Sequence, residues 1–313
     1  MMVDYTFASA LLSTRSALFL TKNQFRDLKA TDEQGFVLKL QSLGYGVGNK
    51  TASVDEILSL EVIKLKEELS TILNDDNLLL FFFSKYDLTN IRSFYKKKLF
   101  KTPVGPFESV GLLSEKVLDQ AILKDNYFGI VAPYDQLFTK MSEQTFKTFE
   151  GLANYLQSTF QELLYQELIQ RKDEALLTYF VLSTDINNLI SLLRAKRLKL
   201  NAQQLRDGLL DHGSIDANDV AILLDSDSKV IVERYSNLYL SRFVKPLAQY
   251  FEDGDLSALE RNLLKVLLDE LKPMQIDITS SASIIAFVIA KQIEIVDLKR
   301  LYLDRESALM VEA

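Results

Sequence analysis

The chain has no cysteine and no tryptophan, one histidine, 5 prolines and 11 glycines in 313 residues. Without cysteine there is no disulfide and no thiolate metal site, which suits a reducing compartment. With His212 as the only imidazole, a histidine-built zinc site and a serine–histidine relay have almost nothing to start from. Asp211-His212-Gly213 reads as an exposed turn with no nucleophile beside it. No apolar run approaches the ~20 residues of a membrane span; the longest are Leu78 to Phe83 and Ile284 to Ala290. The segment after Met1 lacks the basic start and cleavage site of a signal peptide. Positive charge is also short: 36 Lys and Arg against 43 Asp and Glu leave a net charge of −7. That field repels phosphate backbones and anionic headgroups, so neither nucleic acid nor direct lipid insertion is expected. The densest basic cluster, Lys96, Lys97, Lys98 and Lys101, reads as a solvated helix end.

What remains is a helix-forming mixture. Hydrophobic residues make up 48% of the chain and charged residues 25%, enough to bury real cores and keep a solvated surface. Breakers are so few that none falls between Gly151 and Gly208, and no stretch alternates as a strand would, so the fold is expected to be all-α. A chain of this length exceeds what one hydrophobic core comfortably supports, which predicts several small domains.

Self-similarity organises those domains. Phe81-Phe82-Phe83 is followed by Asp87, Leu88, Asn90, Ile91, Phe94, Tyr95 and Lys98. The same classes recur, without gaps, as Tyr179-Phe180-Val181 with Asp185, Ile186, Asn188, Leu189, Leu192, Leu193 and Lys196. They recur again as Val288-Ile289-Ala290 with Glu294, Ile295, Asp297, Leu298, Leu301, Tyr302 and Arg305. Acid, amide or acid, aliphatic, apolar and base share one face of a helix at this spacing. A face that mixes polar and apolar groups packs its aliphatics and hydrogen-bonds its amide, so Asn90 and Asn188 are expected to be latches inside helix contacts. The long period predicts one helical domain per copy, at 1–108, 109–211 and 212–313, rather than a solenoid. Thr102 to Gly111 and Asp207 to Gly213, rich in breakers, are read as the linkers. Gly111-Leu112-Leu113 after one corresponds to Gly213-Ser214-Ile215 after the other. Ser53-Val54-Asp55-Glu56 fits a capping box, and Ser142 is a second cap candidate, ahead of Phe146 and Phe149.

Chemistry is sought and mostly not found. Gly44-Tyr45-Gly46-Val47-Gly48-Asn49-Lys50-Thr51 falls one glycine short of a phosphate loop, and no buried strand precedes it, so it reads as a connector rather than a nucleotide site. Asp225-Ser226-Asp227 begins like a calcium loop but lacks the turn glycine and the final glutamate. Asp75-Asp76 has no acidic counterpart and reads as a helix end. Recurrence in three copies argues that Asp87, Asp185 and Glu294 serve architecture, because a catalytic pair is needed only once.

The third copy, Ala286 to Arg300, resembles the C-terminal signature of the C (eukaryotic d) subunits of V-type and A-type rotary ATPases. Asp185-Ile186-Asn187-Asn188-Leu189 through Arg194-Ala195-Lys196 resembles their second-domain motif, and Tyr5-Thr6-Phe7-Ala8 with Leu43-Gly44-Tyr45-Gly46 their beginning. Asp297, Lys299 and Gln292 depart from the family's asparagine, arginine and glutamate. The resemblance implies three helical-bundle domains in a funnel around a pseudo-threefold axis, with no active site and no cofactor. It implies a socket joining D- and F-type central-stalk subunits to the membrane proteolipid ring, held peripherally at the cytoplasmic face. Two other readings stay open on the residues alone: a helical-repeat adaptor outside any ATPase, and a helical enzyme working through carboxylates and a divalent cation.

Overall fold

The computed structural model describes residues 4–46, 53–73, 76–239 and 242–312, with the side chains of 76, 238–239 and 305–312 left aside. Among the described residues every regular element is helical, as the scarcity of breakers predicts. Val47 to Thr51 of the glycine-rich segment, Asp75 and the side chain of Arg305 lie outside the described residues.

Contacts gather into two compact units, one from Val3–Asp76 with Lys272–Ala313 and one from Asn77–Leu271. The first joins the two ends of the chain. Its core packs Leu28, Phe36, Leu40, Tyr45, Val54, Ile57 and Leu58 around Leu298, so that Ala282–Glu312 lies against helices from the beginning of the sequence. Ser53 starts the helix Val54–Ile72 through the expected reciprocal cap: its hydroxyl accepts from the Glu56 amide and the Glu56 carboxylate accepts from the Ser53 amide. Gly44 and Gly46 take positive φ at the turn after Glu33–Ser42. A Cβ on Gly46 would meet Ile57 at 2.8 Å; the turn folds Tyr45 into the core.

The second unit is centred on Glu174–Leu198, whose apolar residues pack against Leu256–Leu271 and Phe149–Arg171. This helix is long and apolar enough to cross a bilayer, yet 61% of its most apolar window is buried inside the protein, the mark of a core helix. The breaker-free stretch from Gly151 to Gly208 is not continuous. Lys172 adopts a left-handed conformation at φ 57°, and Asp173 then caps Glu174–Leu198 by accepting from the Leu176 amide at 3.0 Å. One cap expectation is overturned. Ser142 ends a helix, its hydroxyl donating to the Thr139 carbonyl, and the cap of Phe149–Arg171 is Thr148, which accepts from the Gly151 amide.

The breaker-rich segments at 102–111 and 207–213 carry little regular structure, but they are not loose. Val110, Leu209 and Leu210 are buried in them, and what holds them is the repeated polar face of Asp76–Phe100 and of Glu174–Leu198.

Candidate functional site

The three recurrent stretches lie on the long helices Asp76–Phe100, Glu174–Leu198 and Ala282–Glu312. In the first, Asp87 is fully buried. Its two oxygens accept from the backbone amides of Leu112 at 3.0 Å and Leu113 at 2.9 Å, and the Tyr134 hydroxyl donates to it at 2.5 Å. One turn on, Asn90 grips Glu108 with both ends of its amide: Nδ2 donates to the Glu108 carbonyl at 2.9 Å and Oδ1 accepts from the Glu108 N–H at 2.8 Å.

The second helix repeats the backbone part of this arrangement atom for atom. Asp185 accepts from the amides of Ser214 at 3.1 Å and Ile215 at 3.3 Å, through the same pairing of oxygens. Asn188 donates to the Leu210 carbonyl at 2.8 Å and accepts from its N–H at 2.9 Å. The amide grips a residue four before the first one held by the acid in both copies. The partner is therefore the backbone of the following loop, where sequence reasoning expected a facing helix. In each clamp the acid reaches across an expected boundary, at 108/109 or 211/212, while the amide grips a residue just before it.

Glycine completes the arrangement. A Cβ on Gly111 would lie 2.4 Å from Asp87 Oδ1, and one on Gly213 would lie 2.4 Å from Asp185 Oδ1, far inside contact distance. Both glycines are needed for close approach of backbone to carboxylate.

The third copy has the longer acid. Glu294, also buried, accepts from the Leu20 amide at 2.6 Å, so the loop it holds belongs to the other end of the chain. Phe19, the residue before Leu20, is extended at φ −62°. Lys291 ties Glu294 at 2.8 Å and Glu61 at 3.3 Å, and its ammonium lies 4.5 Å from the centre of the Tyr45 ring. Asp297 is half-buried on the same helix.

Electrostatics explain why the acids are so enclosed by donors. Desolvating a carboxylate costs several kcal/mol. Each hydrogen bond to a charged group returns roughly 1.5–3 kcal/mol, so the three donors on Asp87 offset its burial. Burial first, and then the Asp87 charge and hydrogen bond, push the Tyr134 hydroxyl well above the ordinary tyrosine range, keeping it a donor. Tyr45 is pushed up in the same way, by burial and then by Glu294 and Glu61.

The repeated bases reach farther along the same segments. Lys98 pairs with Asp125 at 2.5 Å, and Lys196 donates to the carbonyls of Leu224 at 2.5 Å and Ser226 at 2.7 Å. His212, expected to be an exposed turn residue, is instead fixed within the second clamped loop. It has φ 68°, stacks on Tyr165 with ring centres 3.8 Å apart, and places Nε2 2.6 Å from Glu162. Sequence reasoning missed the contacts of Tyr134, Tyr45 and Glu61, which stand at no fixed offset from the motif, and of Lys291, three residues before Glu294 on the same helix. The glycines carried a legible signal, because each follows its gripped residue by three positions.

Two substitutions test the clamp. Asn188→Leu leaves the Leu210 amide and carbonyl unsatisfied in the interior and is expected to cost about 1–3 kcal/mol in urea denaturation; an unchanged midpoint would assign Asn188 no structural role. Gly213→Ala forces a carbon onto Asp185 and is expected to lower stability by about 1–3 kcal/mol. Gly208→Ala, with nothing within 4 Å of the added carbon, is the control and should sit within about 0.5 kcal/mol of the parent. Equal effects at the two glycines would rule out the steric account.

A family model described as ATP synthase (C/AC39) subunit matches residues 8–302. The C subunit of the A-type ATP synthase of Pyrococcus furiosus is 26% identical, covering 96% of this chain and 87% of the relative. That of Thermococcus onnurineus is 24% identical, over 93% and 83% respectively. That of Thermococcus kodakarensis is 26% identical, over 93% and 84%. With nearly the whole chain spanned by one family model, and its relatives spanned over most of their length, this protein belongs to the ATP synthase (C/AC39) subunit family.

Proposed function

We propose that the chain is a non-catalytic central-rotor subunit of a rotary ATPase, a socket that receives D- and F-type stalk subunits on one side and sits on the membrane proteolipid ring on the other. ATP hydrolysis or synthesis in other subunits is thereby coupled to movement of H+ or Na+ through the membrane part. The observation that carries this reading is the family match across residues 8–302, together with relatives named as C subunits of A-type ATP synthases over most of their length. In this reading the protein is peripheral, at the cytoplasmic face, and reaches the membrane through its partners.

The clamps supply the mechanical reason. A part that transmits torque has to keep its loops in register with its helices under load, and pins of buried hydrogen bonds do so at little cost in mass. The repeated acids and amides are taken up with backbone groups, which suits architecture better than substrate chemistry. We read the repeats as three domains, 1–108, 109–211 and 212–313, related by a pseudo-threefold axis and forming a funnel, with each clamp joining one repeat to the next. Glu294 on Leu20 would close that ring by joining the last repeat to the first. A helical adaptor outside any ATPase is the competing reading, and the near-complete family match counts against it.

The test is assembly. The full chain, combined with purified D- and F-type stalk subunits and with a detergent-solubilised proteolipid ring from the same source, is expected to co-elute with both in one complex. Failure to bind either, with the chain folded by circular dichroism, would overturn the socket.

A further inference from the structure

The end of the first repeat helix carries residues that the clamp does not use. Lys98 is the repeated base, engaged by Asp125 at 2.5 Å. Its neighbour Lys97 corresponds to buried Ala195 in the second copy and to Asp304 in the third, and Thr102 corresponds to Leu200 and Leu309. What three copies share belongs to the architecture; what one copy alone has calls for another explanation.

Lys97, Lys98, Lys101, Thr102, Pro103 and Leu123 wall an open concavity of about 520 Å³. The carbonyl end of the helix accounts for one of the lysines, since the Lys101 ammonium donates to the Lys98 carbonyl at 3.0 Å. It does not account for Lys97, exposed and without an ion pair among the described residues, nor for the Thr102 hydroxyl, which is buried at the wall with no hydrogen-bond partner. Asp125, the nearby acid, is neutralised by Lys98, so the concavity keeps the uncompensated charge of Lys97 and Lys101 in a chain that is acidic overall.

We propose that this concavity binds the phosphate group of a small phosphate monoester or phospholipid headgroup, with Lys97 and Lys101 as ammonium donors, the Thr102 hydroxyl as a neutral donor, and Pro103 with Leu123 against the organic part. Ammonium groups bind phosphate as point charges, strengthened by charge-assisted hydrogen bonds. The site stands independently of the rotor reading.

The experiment uses the full chain and glycerol 3-phosphate as the soluble probe, titrated calorimetrically at low salt. Saturable binding is expected, weakened about tenfold or more in Lys97→Gln/Thr102→Val. Flotation with phosphatidylcholine vesicles, with and without phosphatidic acid, separates the sources. Binding that needs phosphatidic acid and Lys97 assigns the site to a headgroup; glycerol 3-phosphate binding without flotation assigns it to a soluble ester. No binding in either arm, or binding that the double variant leaves unchanged, overturns the proposal. Lys97 is solvent-exposed, and an unaltered melting curve for Lys97→Gln alone separates lost binding from lost fold.

Discussion

A buried carboxylate that accepts backbone amides from the segment following its own helix is the constraint on which the rest of this structure depends. A helix offers no spare amides in its interior, so an acid there must find donors elsewhere or stay costly. Asp87 and Asp185 find them in loops 25 and 29 residues downstream. Once the acid is fixed, the glycine beside it follows from the lack of room for a Cβ. The asparagine one turn on then has the next stretch of the same loop within reach. Breaker-rich segments that would otherwise wander are thereby pinned to the longest helices of the chain.

The clamps give the polar face fixed backbone partners. Hydrogen bonds to fixed backbone groups are directional, and two per side chain define position as well as distance. An apolar contact between loop and helix would hold the segment while letting it slide. In the third copy a related device works between residues 274 apart in sequence, and the ion pairs of Lys291 with Glu61 and Glu294 reinforce that contact between distant parts of the chain. A member of a rotary ATPase subunit family gains from such a frame if it carries load.

Helix content, the capping box at Ser53 and the shared face at Asp87, Asn90, Asp185 and Asn188 were legible because they depend on local spacing. The break at Lys172 was not, because a lysine in a left-handed turn leaves no compositional trace; only Asp173 after it hints at a new helix start. The partners of the repeated acids were half legible. Their glycines recur beside the gripped residues, but which groups an acid holds depends on how far the loop travels. Tyr134 was invisible for that reason, and His212 looked exposed because its ring partners, Tyr165 and Glu162, come from Phe149–Arg171, about 50 residues earlier in the chain. The contact of Glu294 with Leu20 required knowing that residues far apart in the sequence meet.

The central claim is that these loops are pinned as firmly as the helices that hold them, and amide hydrogen exchange on the intact protein reads it residue by residue. The amides of Leu112, Leu113, Leu210, Ser214 and Ile215, outside regular α-helix in all five cases, are expected to exchange as slowly as those in the middle of Glu174–Leu198. Exchange at the rate of the neighbouring exposed Asp211 amide would show that the buried carboxylates hold nothing, and would contradict the account.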